Sequence, residues 1–435
     1  MSMNNKRTFF KFVIPSIIAF AFSGIYAIVD GFFVGNTIGD AGLSAINIAY
    51  PIVAILQAIG TGLGMGGAVY YSINKAEGHQ KRAGEFIAYA WWLLIIASII
   101  VTIIVYLFAN PILKILGAEN AILSYGTEYI KIIALGAVLQ ILGTGLVPFM
   151  RNYGGSFWAM FAMMGGFITN IILDYLFVWV YGLGMTGAAT ATIIGQGVTM
   201  FVAIAYALYK KCFFWRISFT HAKGICKSIF KVGLAPFGLA LTPNISLILI
   251  NRFSASYGGE KAITTYACIS YIICIIYLIL QGVGDGSQPL MSRYYGEKRT
   301  ENLISIQKLA YRFAIFLAIV GCIALFAGRN HIGILFGTSA KVNTNIAKII
   351  PIFLVSIPFV AITRIATASF YATEKNILSY VLTFIEPLLM LTFMLILPPL
   401  FGGQIMIWWS TVFARIFSAL LALALTKRQN HQPTI

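Results

Sequence analysis

Charge is scarce in this chain: across 435 residues, Asp, Glu, Lys and Arg make up 10%, against 59% hydrophobic residues. A water-facing surface needs more charge than that, which excludes a soluble globular protein, and so much apolar material excludes a disordered one. Acid is scarcer still, with 13 Asp and Glu against 30 Lys and Arg. His79, His221, His331 and His431 all fall in loops or the tail, so no metal centre, cofactor or catalytic constellation is expected, and no enzyme. Cys212, Cys226, Cys268, Cys274 and Cys322 are odd in number and scattered, with no CxxC pair, which excludes a disulfide framework. Gly62-x-Gly64-x-Gly66-Gly67 has no strand before it and no Gly-Lys-Ser/Thr after it, leaving close helix packing in place of a nucleotide loop.

What is abundant is long apolar runs. A bilayer-spanning helix takes about 20 residues, and roughly 36 residues per span and loop gives about 12 spans. Breaks in apolarity place them near 10–34, 43–72, 85–108, 125–148, 158–181, 186–209, 229–256, 262–289, 305–327, 345–372, 376–398 and 402–425. The first run follows Lys6, Arg7 and Lys11 as a signal peptide would. It is too long, lacks a small-residue cleavage site and is followed at once by another span, so it reads as a retained helix.

An even number of spans puts both termini on one side. Loops on that side carry most of the Lys and Arg, among them Lys81, Arg82, Lys210, Lys211, Lys427 and Arg428, while the opposite loops hold Lys114, Lys261, Arg329 and Lys341. The positive-inside rule then predicts a multi-pass protein of the cell membrane with both termini cytoplasmic. The net charge of +17 is expected to meet anionic membrane lipids, not nucleic acid.

The polar stretch from Lys210 to Lys227 divides the chain into halves that echo each other. Gln57-x-x-Gly60-x-Gly62 and Tyr70-Tyr71 recur as Gln281-x-x-Gly284-x-Gly286 and Tyr294-Tyr295, at an offset of 224. Ile112-x-x-Ile115-Leu116-Gly117 recurs as Ile332-x-x-Leu335-Phe336-Gly337, at an offset of 220. Six spans per half with a common starting side make a parallel repeat. The expected fold is an all-α integral membrane protein of 12 transmembrane helices in two pseudo-symmetric six-helix lobes, residues 1–218 and 219–435.

Carboxylates inside spans are costly and are functional candidates by default. Asp30 lies in the outer part of the first span and Asp174 in the outer half of the fifth, at similar depth; Asn170 sits one turn below Asp174 on the same face. Thr190 and Thr192 of the sixth span and Tyr129 of the fourth reach that level too. Two carboxyl groups together in low dielectric can share a proton and titrate as a unit, which makes the cluster an ion-coupling candidate. The same oxygens suit Na⁺, a hard cation, and spacing does not separate H⁺ from Na⁺. Three further features stand out. Glu386, Arg415 and Arg364 lie at comparable depth and read as a buried ion pair in preference to a second coupling site. Asp285, amid Gly284 and Gly286, reads as a gate or packing residue. Phe157, Met160, Phe161 and Met164 open the fifth span; part of this cluster must face lipid or core, and the rest can line an adaptable apolar substrate cavity.

Three motifs carry a resemblance. Val29-Asp30-Gly31-Phe32-Phe33-Val34-Gly35 ends the first span, Gln281-Gly-Val-Gly-Asp-Gly-Ser-Gln-Pro-Leu290 ends the eighth, and Asn170-Ile-Ile-Leu-Asp174 is followed by Gly184-Met-Thr-Gly-Ala-Ala-Thr-Ala-Thr192. Together they resemble the multidrug and toxic compound extrusion (MATE) family, in its DinF-like or MepA-like bacterial branch, over nearly the whole chain. The resemblance implies a monomeric, ion-coupled exporter of amphiphilic, cationic small molecules that alternates access between two lobes. By it, Asp30, Asn170, Asp174, Thr192 and Tyr129 align with the first-lobe coupling site, and Pro15 with a proline where the first helix bends; as a bare residue, Pro15 is equally a passive kink. Another branch uses acids in the seventh and tenth helices for Na⁺, and here those helices have none. Glu386 departs from the family pattern, which often has a base there. Rival readings are a lipid-linked precursor flippase of the same superfamily, a polytopic membrane enzyme and a passive channel.

Overall fold

The computed structural model describes residues 3–217, 221–332 and 340–430. Among these there is helix but no strand, as expected where a bilayer leaves backbone groups no partner but their own helix. The helices are α1 (Met3–Thr37), α2 (Asp40–Ala76), α3 (Gln80–Ile115), α4 (Asn120–Leu135 and Ala137–Asn152), α5 (Ser156–Asp174, continued by a π-helical turn, Tyr175–Val180) and α6 (Gly184–Tyr209). In the second half follow α7 (Ala222–Gly259), α8 (Lys261–Gly296), α9 (Thr300–Gly328), α10 (Ala340–Ala372), α11 (Asn376–Phe401) and α12 (Gly403–Asn430). The expected boundary between halves, 218/219, lies outside the described residues, as do Gly337 and His431.

Each predicted span is present, and most run longer than the apolar core that announced them. α2 has 37 residues, about 55 Å at 1.5 Å per residue, well beyond a hydrocarbon thickness of about 30 Å. Its last turn carries Lys75, and α3 opens beside Lys81 and Arg82, so the helices continue into the headgroup region. α4 is one span bent by 59° at Gly136. A Cβ there would lie 2.2 Å from Ile193 of α6, so glycine lets the bent helix press against its neighbour.

The repeat is visible in the turns. Left-handed residues recur in pairs 220 positions apart: Gly39 and Gly259, Gly78 and Lys298, Gly154 and Glu374, Gly182 and Gly402. Their hydrogen bonds recur as well, Gly155 N–H to Met150 C=O at 2.9 Å and Lys375 N–H to Phe370 C=O at 2.8 Å. The true register is therefore 220. The Gln57/Gln281 match at 224 lies one helical turn off it, since residues four apart on a helix present the same face.

α3 and α9, equivalent in this repeat, are the most lipid-exposed spans, with 22% and 17% of their apolar segments buried, against 72% for the central α2. The lobes meet tightly at the face that carries the termini. Phe9 and Val13 of α1 and Met65, Val69 and Ile73 of α2 belong to the hydrophobic core of the second lobe, and Ile229 of α7 to that of the first. A Cβ on Gly233 would lie 2.4 Å from the Gly62 carbonyl, and one on Gly286 2.8 Å from Val13 Cα. Nearer the far face the contact loosens: Tyr50 and Gln57 of α2 and Tyr271 and Cys274 of α8 are exposed along the seam. The lobes are thus closed at the termini face and parted towards the other.

Candidate functional site

The far half of the first lobe holds a closed polar cluster. Asp30 of α1 and Asp174 of α5 bring their carboxyl groups into direct interaction. Asp174 and Asn170 are buried, Asp30 half-buried, and Oδ1 of each acid is inaccessible and without a hydrogen-bond partner. With its amide oriented to satisfy both ends, Asn170 donates to Asp174 Oδ2 at 3.0 Å and accepts from the Thr192 backbone N–H at 3.1 Å. Tyr129 of α4 is buried, and its phenol approaches the Thr192 hydroxyl. All five residues expected here come together.

Their meeting has local causes. α5 and α6 touch backbone to backbone where a Cβ on Gly195 would lie 2.7 Å from the Gly166 carbonyl, which brings Asn170 within reach of Thr192. Glu128, beside Tyr129, accepts from Thr186 N–H at 3.1 Å and from its hydroxyl at 2.5 Å, tying α4 to the start of α6. Asp174 stands where α5 changes from α- to π-helical winding, a device that re-aims side chains and recurs at functional sites.

Sequence reasoning missed Tyr26. Its ring stacks on Phe167 of α5 at 5.1 Å, and its phenol, like that of Tyr129, approaches the Thr192 hydroxyl. The signal was present, because Tyr26 lies four residues before Asp30 and so on the same face. Thr190 is half-buried and donates to the Thr186 carbonyl at 2.7 Å.

Chemically, two adjacent carboxyl groups out of water do not both stay charged without a cation between them. The pair is thus a place where a proton or a cation can be held, and Oδ1 of each acid has no other partner. The Asn170 amide oxygen is engaged by the Thr192 N–H, while the Thr192 hydroxyl, the Tyr26 and Tyr129 phenols and the open carboxylate oxygens remain in the cluster. No group of three or more His, Cys, Asp or Glu suited to a metal occurs among the described residues.

The MatE family profile matches residues 15–176 and 239–396, more than half of the chain and both lobes. The chain belongs to the MatE family. Two relatives named multidrug export protein MepA are similar along nearly their full lengths. That of Staphylococcus haemolyticus is 25% identical over 99% of this chain and 95% of its own. That of Staphylococcus saprophyticus is 27% identical over 95% and 91%. A solved MATE transporter of the MOP superfamily, in an outward-facing conformation, superposes with a TM-score of 0.91 at 21% identity, covering 98% of this chain and 96% of that one. The two-lobe MATE fold is thereby established.

This MatE chain carries a second polar centre in its other lobe. Arg415 of α12 pairs with Glu386 of α11 at 3.1 Å, donates to Ser356 of α10 at 3.1 Å, and lies 5.1 Å from the Tyr277 ring of α8. Arg364, expected with them, is not part of the pair. It stands eight residues along α10 from Ser356, about 12 Å at 1.5 Å per residue, and donates to the Leu239 carbonyl of α7 at 3.5 Å.

The other expected positions are placed as follows. Pro15 lies inside α1, which continues through it from Met3 to Thr37. Phe157 and Phe161 are exposed on an apolar stripe that continues through Ile168, Ile172, Tyr175 and Trp179. Met160 is buried and Met164 half-buried, so these four residues, at i, i+3, i+4 and i+7 of one helix face, differ in burial, with the phenylalanines along its exposed edge.

Proposed function

We propose that this MatE protein is a cation-coupled multidrug exporter in which Asp30 and Asp174 form the coupling site, with H⁺ favoured over Na⁺ as the coupling ion. The observation that carries the reading is the contact between the two acids, each with an open, buried oxygen. The adjacency of the two carboxyl groups supports H⁺, since such a pair can share one proton with no further ligand. The names of the MepA relatives support drug efflux. The basic loops support cytoplasmic termini, and in this reading the parted seam faces outward.

An amphiphilic cation enters between the lobes from the cytoplasm, drawn by unprotonated carboxylates and aromatic faces. Phe157, Met160, Phe161 and Met164 remain candidates for its apolar contacts. When the lobes part on the outer side, protons reach Asp30 and Asp174 and remove the attraction. Pro15 supplies no N–H to the Lys11 carbonyl, so α1 bends there at low cost as its grip on α5 and α6 changes. Each proton contributes about 2.3 kcal/mol per 100 mV and about 1.4 kcal/mol per pH unit. One proton supports a gradient of about tenfold from a pH unit alone and several hundredfold when about 100 mV is added.

The test is export of a fluorescent aromatic cation from proteoliposomes with pH and Na⁺ gradients imposed separately. Uphill export driven by the pH gradient alone supports the reading. Dependence on the Na⁺ gradient makes Na⁺ the coupling ion at the same pair, and equal downhill flux under both removes coupled export altogether.

A further inference from the structure

Arg151 ends α4 among the basic residues of the termini face, yet its side chain is only 3% exposed. It crosses to the other lobe. Arg151 NH1 lies 3.7 Å from Asp285 Oδ2 of α8, and Tyr371 of α10 donates to Asp285 Oδ1 at 3.1 Å. One residue on, Asn152 Nδ2 donates to Gln288 Oε1 at 2.9 Å; Gln288 donates to Ser292 Oγ at 2.8 Å, and Ser292 to the Ala372 carbonyl at 2.9 Å. A buried polar chain thus joins the end of α4 to α8 and α10, where the lobes are closed.

We propose that the Arg151–Asp285 pair, extended by Asn152–Gln288, is the latch that holds the lobes shut at the termini face and breaks each time that face opens. The inference rests on the alternating-access reading above and adds to it the residues that govern one of the two states.

Three observations carry it. First, among the charged pairs resolved between described residues, this one joins the two lobes and is excluded from water; Glu386–Arg415 lies within one lobe, and the pairs of Glu297 with Arg293 and Arg299 are surface contacts. Second, the latch is incomplete. Arg151 Nε is buried without a partner, and 3.7 Å is long for a charge-assisted bond. Separation of the lobes returns both charges to water, so the desolvation penalty is refunded as the Coulomb attraction is lost. Such a contact holds a state without trapping it. Removal of one partner is different, because it leaves the other charge buried without its counter-charge across the seam in the closed state only.

Third, the latch touches the helix that carries the coupling acid. The Arg151 guanidinium lies 5.2 Å from the Phe20 ring of α1, five residues past Pro15 and ten before Asp30. Gly286, next to Asp285, packs against Val13 and Ser16 of the same helix. A bend in α1 near Pro15 therefore alters the walls of the latch directly. α1 is the shared element through which the acid pair and the latch bias one equilibrium.

The test uses the full-length protein in lipid nanodiscs, in a background with its five cysteines replaced by alanine. Spin labels go on Lys81 and Glu301, exposed residues in the opening turns of α3 and α9, which belong to opposite lobes. The wild type is expected to sample a short and a long distance as pH and an aromatic cation are varied. Asp285→Asn and Arg151→Gln should each raise the long-distance population about tenfold or more. Arg151→Asp combined with Asp285→Arg should restore the short one, which a merely structural role would not produce. Gln288→Ala leaves no charge stranded and should shift the balance the same way by only a few-fold, which keeps the test open if a charge variant fails to fold. Unchanged populations in all of the single variants, with the wild type still sampling both distances, overturn the latch alone. One fixed distance in the wild type under every condition, in protein that still exports, overturns alternating access and the latch with it.

Discussion

The two lobes share a backbone plan but treat buried charge in opposite ways. In the first, α5 and α6 cross at Gly166 and Gly195 with no side chain between them, and the acids sit beyond the crossing as a like-charged pair. At the 220-residue register, Glu386 takes the place of Gly166. Arg415 falls within one residue of the place of Gly195, because the far-face turn is Gly182-Leu183-Gly184 in one half and Gly402-Gly403 in the other. The crossing that is bare backbone in one lobe is an ion pair in the other. Conversely, Asp30, Asn170 and Asp174 correspond to Ile250, Met390 and Met394, all fully buried and apolar. At this level of the second lobe, Glu386 and Arg415 neutralise each other. The acid pair of the first lobe has no basic side chain among its resolved partners, and that difference makes it the candidate for coupling.

The largest way to break this contrast is to neutralise the acids. Asp174→Asn or Asp30→Asn should abolish uphill export in proteoliposomes while folded protein remains in the membrane. Next, Arg415→Ala strands Glu386 and should destabilise the fold by about 3–5 kcal/mol, read as a lower melting temperature. Glu386→Gln with Arg415→Met strands no charge; it should melt close to the wild type and keep uphill export, since the pair is structural. Gly195→Ala pushes a methyl against the Gly166 carbonyl and Asn170 Cβ, at 2.7 and 2.9 Å. It should cost about 1–3 kcal/mol in stability and lower the export rate by misplacing Asn170. The smallest effect belongs to Tyr26→Phe, which keeps the stack on Phe167 but loses the phenol at Thr192. About 0.5–1.5 kcal/mol is at stake, a few-fold change in rate with coupling retained.

Much of this was legible in the sequence because a bilayer makes polarity conspicuous. Asp30, Asn170 and Asp174 stood out as polar residues in apolar helices, and counting turns from the span ends matched their depths. Tyr26 and Phe167 did not stand out, since aromatic residues are common throughout these helices. The π-helical turn after Asp174 and the bend at Gly136 leave no trace in composition; Gly136 is one of 41 glycines, and only its packing on Ile193 distinguishes it. Arg151 was hidden for the opposite reason. A base at the end of a span on the basic side reads as solvated, and its burial arises only when the second lobe closes over it.

The most direct measurement is the infrared difference spectrum of the purified protein between low and high pH, read at the carbonyl stretch of protonated carboxyl groups. The coupling site described here predicts a buried carboxyl band that Asp30→Asn and Asp174→Asn each abolish or shift and that Glu386→Gln leaves intact. A band untouched by the two Asp substitutions, or lost on Glu386→Gln, would place the exchangeable proton elsewhere.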